Sequence, residues 1–426
     1  MSSFFAGWFA LMLSAMPVAF TLAVASVLWL LSQGMSLASV TQRLVAGVDS
    51  FVLLAVPFFT LAGLLMNYSG VSDRIFRLAH AFVGHLHGGM GQVNVMGSLL
   101  FSGMSGSAVA DAGGLGVLEI RSMKEHGYPA SFAGALTCAS CIIGPLVPPS
   151  IPMRLYGMVA NVSVGALFLG GIVPGVLTAV ALMVYGYFWA RKRGIHRDPP
   201  APWAARVTAA RGATLPLMAP LIILGGIFGG VFTPTEAAGV AALYALFLGV
   251  LVYRTLPLRR LPAIFREAVT ISAVVGTVVA CSSLFSWVIA RERVPQMLAD
   301  QLMAFSDQAW VFLTLTNILL LLLGCFMDAI PILLLVAPVL LPAAAQFGID
   351  PVHFGVVVVM NLMIGLLTPP FGVALFTVAK VGDIALRDLI QEIMPMLVPL
   401  MLVLVVLTYV PQSFMWLPQW EWVYGK

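Results

Sequence analysis

The stretch "LLFSGMSGSAVADAGGLGVLEI", residues 99–120, decides how the rest of the chain is read. Between His87 and Glu119 the one charged side chain is Asp111, set in a run of Gly, Ser and Ala with apolar flanks. Glycine loses the most backbone entropy in a helix, and serine offers the backbone a competing hydrogen bond. A lone carboxylate beside the segment least able to stay helical predicts a deliberate interruption. The stretch reads as a broken membrane hairpin built to hold a cation, with "GMSGS" as its turn and Asp111 just inside the second arm.

Composition supports a membrane setting. Of 426 residues, 61% are hydrophobic and 9% are charged, against about 25% charge in an average soluble chain. Mean hydropathy is +1.02. Residues 1–42, 155–190, 268–290 and 393–420 carry no charge, and about 20 apolar residues suffice to cross a bilayer. The apolar runs are continuous rather than alternating, which excludes a transmembrane β-barrel. Forty glycines and 27 prolines predict interrupted spans. The first ~30 residues lack a basic leader region and read as a first span, broken or bent at Pro17, not a cleaved signal.

Basic residues gather in two loops. Arg191, Lys192, Arg193, Arg197, Arg206 and Arg211 form one cluster, and Arg254, Arg259, Arg260 and Arg266 the other. Both flank a helical pair over 213–232 and 236–253, so both lie on one side, which the positive-inside rule makes cytoplasmic. Neither loop interleaves aromatics, so no nucleic acid is expected. "CASC" at 138–141 falls in an apolar helix and reads as small-residue packing, since a redox pair needs an exposed or electropositive thiolate and a zinc site two further ligands. "HLH" at 85–87 is too thin for a metal site. No P-loop occurs, so ATP hydrolysis by such a loop is excluded.

The chain repeats itself. "GYPASFAGALTCASCIIGPLVPPSIP" (127–152) matches "GIDPVHFGVVVVMNLMIGLLTPPFGV" (348–373) at an offset of 221 or 222, and Asp111 and Asp328 stand 217 apart. Residues 308–349 carry one charge, Asp328, within "GCFMDAIP". Forty-two residues are too many for one comfortable crossing, so this stretch reads as a second hairpin. In "GPLVPPSIP" and "GLLTPPFGV" paired prolines remove amide donors and push the preceding residue from the helical region. That frees carbonyls to face a cation; a plain kink is the simpler alternative, and two matched kinks facing two matched hairpins weigh against it. Broken segments at matching places in two halves point to a secondary transporter. In "FTPTEAAG" (232–239), Thr233, Pro234 and Glu236 spell a capping box, which explains Glu236 as structural.

Together "GMSGSAVADAGGLG", "GPLVPPSIPM", "VFTPTEAAG", "GIDPVHFG" and "IGLLTPPFGV" resemble the large membrane subunit of tripartite ATP-independent periplasmic (TRAP) transporters, the DctM-like permeases, over nearly the whole chain. The resemblance implies an all-α polytopic protein of the bacterial inner membrane. It implies two inverted repeats, re-entrant hairpins, discontinuous helices and an elevator mechanism with scaffold and transport domains. Residues 1–190 would form the first half, with hairpin 1 at about 88–120 and a broken helix at about 129–160. Residues 191–212 would be a cytoplasmic linker. Residues 213–426 would form the second half, with hairpin 2 at about 308–345 and a broken helix at about 353–380. The implied partners are a small four-helix membrane subunit and a periplasmic binding protein that delivers an organic acid, neither expected to be fused to this chain. The implied coupling ion is Na⁺, with no other cofactor.

Carried over by position, the first Na⁺ site would comprise Ser105, Gly106, Ser107 and Asp111, facing Gly144, Pro145 and Pro149. The second would comprise Gly324, Met327 and Asp328, facing Gly365, Thr368, Pro369 and Pro370. Whether either Asp touches the ion is open at this level. Ser150 and Arg154 follow the first double proline as candidate substrate contacts. Where the family shows an aliphatic residue this chain has Arg154, which could bind a substrate carboxylate, snorkel, or pair with an acid. Competing readings are a stand-alone Na⁺/dicarboxylate carrier and an intramembrane enzyme. The enzyme would need a nucleophile–base pair or a metal cluster, and neither is visible. A channel is disfavoured for want of a repeated filter. C4-dicarboxylates, sialic acid and other carboxylates all fit the motifs.

Overall fold

The structure, a computed structural model, describes residues 2–13, 16–195, 199–294, 296–297, 300, 308–325, 327–369 and 372–424. These are helical throughout, with no strand among them. The frame-like first part comprises α1 (Ser2–Leu13), α2 (Val18–Ser32), α3 (Ala38–Val48), α4 (Ala55–Tyr68) and α5 (Val71–Val83). Hairpin 1 is α6 (Gly89–Ser105), α7 (Ala108–Gly113) and α8 (Leu115–Glu125), followed by the broken pair α9 (Ala130–Cys141) and α10 (Ile151–Ala160). Then come α11 (Val164–Arg193), α12 (Trp203–Phe228), α13 (Pro234–Phe247) and α14 (Leu261–Arg291). Hairpin 2 is α15 (Ala309–Gly324) and α16 (Ala329–Gln346), followed by α17 (Pro351–Gly365), α18 (Val373–Gly382), α19 (Leu386–Tyr409) and α20 (Gln412–Tyr424).

Local chemistry starts and stops these helices where the architecture needs it. Asp350 caps α17, accepting from the amides of Val352 at 2.7 Å and His353 at 3.1 Å, with Pro351 in the first helical position. Ser163 caps α11 at 3.2 Å, and that helix ends in Arg191–Arg193 and a left-handed Gly194, which suits the negative end of its dipole. Thr233 and Glu236 form the reciprocal capping box at the start of α13. At the N-terminus α1 packs along α2, which begins directly after Pro17. Phe4 and Trp8 of α1 then pack on Phe285 of α14 at 5.3 and 5.5 Å between ring centroids. Helices of 12 and 15 residues are each too short to cross alone.

Among the described residues six helices are long and apolar enough to cross a membrane, including α11, α12, α14 and α19. Contacts between them define two levels. Arg193 lies 3.8 Å from Glu392, Lys124 reaches the Gly382 carbonyl at 3.3 Å, and Gly88 lies against Ala190. The roots of hairpin 1 therefore stand at the level of the basic linker. At the far level the Tyr156 hydroxyl donates to the Pro351 carbonyl at 2.8 Å, Phe312 stacks on Phe347 at 5.0 Å, and His353 bonds the Leu407 carbonyl at 3.0 Å. Hairpin 2 is rooted there, so the two hairpins enter from opposite levels and their tips meet midway.

The halves also exchange partners. The second arm of each hairpin packs on the broken helix of the other half: α7 on α18, and α10 on α16. Around this group runs a frame in which α4 packs on α13, α5 on α12, and α14 on α2, α3 and α4. Apolar lipid gives helices little hydrophobic reason to associate, so close packing at small residues must do so. Gly324 of α15 and Gly365 of α17 show it: a methyl carbon on Gly324 would lie 2.8 Å from the Gly365 Cα.

Candidate functional site

The site begins with two turns pressed together. α6 ends at Ser105, and Gly106 adopts φ 61°, which reverses the chain into Ser107 and α7. Opposite it α9 stops at Cys141, and residues 142–149 form a turn before α10. The Ile151 amide donates to the Gly106 carbonyl at 3.4 Å, and Gly144 sits against the Ser107 backbone. A methyl carbon on Gly106 would lie 2.1 Å from the Pro149 carbonyl oxygen, so close approach and backbone sign both demand glycine here. Ser150 serves this turn. Its buried hydroxyl donates to the Pro145 carbonyl and accepts from the Met153 amide, capping α10.

The second half repeats the arrangement with different contacts. The end of α15 meets the end of α17 at Gly324 and Gly365. Asp328 caps α16 through the Ala329 amide at 2.8 Å. Met327 is buried, and its amide donates to the Leu323 carbonyl at 3.1 Å. Thr368 bonds back to the Ile364 carbonyl at 2.9 Å in the turn that leads to Pro369; Pro370 lies outside the described residues.

Both turns open on one cavity of about 70 Å³. Gly106, Ser107 and Pro145 line it from the first half, and Asp328, Met363 and Leu366 from the second. At roughly 10–15 Å³ for one water in such a space, it has room for an ion with a few waters. A drug-sized ligand needs about 300–1,000 Å³.

Asp328, expected in the second set, lines this cavity together with residues of the first hairpin's tip. Asp111 does not line the cavity: it is 1% exposed, and neither carboxylate oxygen has a hydrogen-bond partner within 3.5 Å among the described residues. Beside it lies Glu119 of α8, also 1% exposed, held by Ser98 at 3.5 Å through one oxygen and with the other unpartnered. Two carboxyl groups buried this way are costly to ionise, by several kcal/mol each, unless a cation lies beside them.

Arg154 is 1% exposed and its three guanidinium nitrogens have no hydrogen-bond partner among the described residues. Its charge lies 4.0 Å above the Phe59 ring of α4 and 5.7 Å from that of Phe168 in α11. In this structure the head group is buried, with aromatic rings rather than an acid beside it among the described residues. It stands one helical turn beyond Ile151, which lines the cavity. Cys138 and Cys141 are buried and free, with the Cys141 thiol bonded to the Cys138 carbonyl, as a packing role requires.

Sequence reading missed the polar side chains behind the turns. Asn94 donates to the Thr137 hydroxyl at 2.6 Å, Ser140 donates to the Asn94 side-chain oxygen at 2.8 Å, and Ser98 donates to Ser140 at 3.1 Å. In the second half the Asn361 amide donates to the Asn317 side-chain oxygen at 2.9 Å and to its backbone carbonyl at 3.0 Å. Asn317 in turn donates to Thr408 at 2.9 Å. A signal existed: Ser140 and Asn361 share the repeat offset of 221, and polar residues are rare in such apolar runs.

Comparison with known proteins agrees with this architecture. The model of the family described as "Tripartite ATP-independent periplasmic transporter, DctM component" matches residues 5–413. The chain is 51% identical over 423 residues to the sialic acid TRAP transporter large permease protein SiaM of Vibrio cholerae, covering 99% of each. It is 38% identical over 385 residues to the C4-dicarboxylate TRAP transporter large permease protein DctM of Pseudomonas aeruginosa, covering 90% of each. The solved YdaH transporter of Alcanivorax borkumensis matches with a TM-score of 0.64 over 90% of both chains at 18% identity, a likeness of fold alone. With most of its length matched to the family and its full-length relatives named as permeases, this chain belongs to the DctM family of tripartite ATP-independent periplasmic transporters, as a large permease and not an enzyme.

Proposed function

We propose that this permease works in the bacterial inner membrane as a Na⁺-coupled importer of a carboxylated sugar acid of the sialic acid type. A small four-helix membrane subunit and a periplasmic binding protein act with it. The observation that carries the reading is the cavity of about 70 Å³ on which both hairpin tips and both broken-helix turns converge, with Asp328 in its wall. Turns that leave carbonyls without helical partners supply hard oxygen donors at membrane depth. The unpartnered carboxylate of Asp111 behind the first tip makes a buried monovalent cation less costly there. The 51% identity to a sialic acid permease, against 38% to a C4-dicarboxylate permease, supports the substrate class.

Hairpins rooted at opposite levels and exchanging partners fit inverted repeats, and the positive-inside rule places the basic linker in the cytoplasm. The hairpin group then moves as one body against the frame of α2–α5 and α12–α14, in the manner of an elevator. Widening of the cavity during that movement admits the substrate, and Arg154 meets its carboxylate as the guanidinium leaves Phe59. The test is uptake by liposomes that contain this chain with its small subunit and binding protein. Sialic acid uptake should follow an imposed sodium gradient and stop without one. Undiminished uptake with potassium on both sides would overturn the coupling, and uptake of C4-dicarboxylates alone would overturn the substrate class.

A further inference from the structure

The side chains behind the two turns form a pair of matching braces. In the first half Asn94 of α6 bridges to Thr137 and Ser140 of α9, and in the second Asn317 of α15 bridges to Asn361 of α17. Ser140 stands four residues before Gly144 and Asn361 four before Gly365, so each brace lies one helical turn behind the turn that follows its helix. Asn94 and Asn317 are 223 residues apart, Ser140 and Asn361 221 apart, in keeping with the repeat. Asn94, Ser140 and Asn361 are fully buried. Beside the second brace the two helices come closest at the Gly324–Gly365 contact.

We propose that Asn94–Ser140 and Asn317–Asn361 are positioning pairs, each holding a hairpin arm on its broken helix so that the tip and the facing carbonyls present a preformed cation site. This rests on the sodium-coupled reading and deepens it. Without a brace an apolar arm in an apolar setting has little to fix its register, because neighbouring contacts are interchangeable dispersion contacts. The apparent dissociation constant of the ion is its intrinsic value divided by the fraction of molecules with the arm in place. If loss of two hydrogen bonds lowers that fraction to about a tenth, half-saturating sodium rises about tenfold.

The experiment compares Asn317→Leu, Asn361→Leu and Asn361→Ser in the full permease with its small subunit. The readouts are sodium-dependent uptake and the sodium dependence of thermal unfolding. Each leucine variant should assemble and need about tenfold more sodium for half-maximal effect. Asn361→Ser copies the first half's own chemistry, where a serine donates to asparagine, and should restore half-saturation to within about threefold of the parent. A purely structural role would lower the melting temperature without sodium and leave half-saturation unchanged; that outcome in both leucine variants overturns the proposal. A serine variant no better than leucine also overturns it, since packing rather than the hydrogen bond would then matter. If a leucine variant fails to assemble, Asn361→Ser against Asn361→Ala gives the same decision at smaller volume. Independence of the parent from sodium would instead defeat the coupling reading itself.

Discussion

Replacing Gly106 by alanine puts the first tip's geometry under direct strain. Two costs add. At φ 61° a side chain enters the left-handed region, at about 1–2 kcal/mol. The new methyl would also lie 2.1 Å from the Pro149 carbonyl oxygen, far inside the ~3.5 Å at which non-bonded contacts become favourable. The tip must retreat by about 1 Å or more, or the 142–149 turn must yield, and forced overpacking of this kind costs about 1–3 kcal/mol. The closed arrangement is then disfavoured by roughly 2–5 kcal/mol. At 1.4 kcal/mol per decade the lower figure already raises half-saturating sodium about thirtyfold. Reconstituted uptake measured against sodium concentration reads this shift. Gly239→Ala is the control, since that helical glycine has nothing within 4 Å of the new methyl, and alanine in a helix interior is neutral or favourable. Gly106→Ala with normal assembly and a shift under threefold would refute the picture of a tip locked against Pro149.

Asp111→Asn and Asp328→Asn keep shape and remove charge, and both should abolish sodium-driven uptake while the complex still assembles, as size-exclusion profiles would report; normal uptake by both would remove the carboxylates from the ion sites. Arg154→Lys keeps the charge but loses the planar fork. Losing a charge-assisted hydrogen bond worth about 1.5–3 kcal/mol should weaken apparent substrate affinity roughly ten- to a hundredfold, with sodium half-saturation unchanged; uptake equal to the parent in both Arg154→Lys and Arg154→Met would exclude a substrate contact.

Much of this protein was legible in one dimension. Continuous apolar runs can only be helices in a bilayer, because every backbone donor there must be satisfied within its own segment. The interruptions at Gly106, Asp328 and the two double prolines announced themselves because glycine, proline and lone charges are expensive in such helices. The recurrence of "IGPLVPP" and "IGLLTPP" at a fixed offset tied the halves together without reference to space. Which residues share a site was another matter, because that depends on how the halves cross. Sequence order paired Asp328 with Gly365 and Asp111 with Gly144; only tertiary packing places Asp328, Gly106 and Pro145 on one cavity and buries Asp111 beside Glu119 and Ser98. Arg154 was visible as an unusual charge, but only the packing of α10 against α4 and α11 could choose Phe59 and Phe168 over water or an acid as its surroundings. Local chemistry dictates where a helix must break; which broken ends meet is decided by close packing between segments hundreds of residues apart, a long-range property that no single stretch encodes.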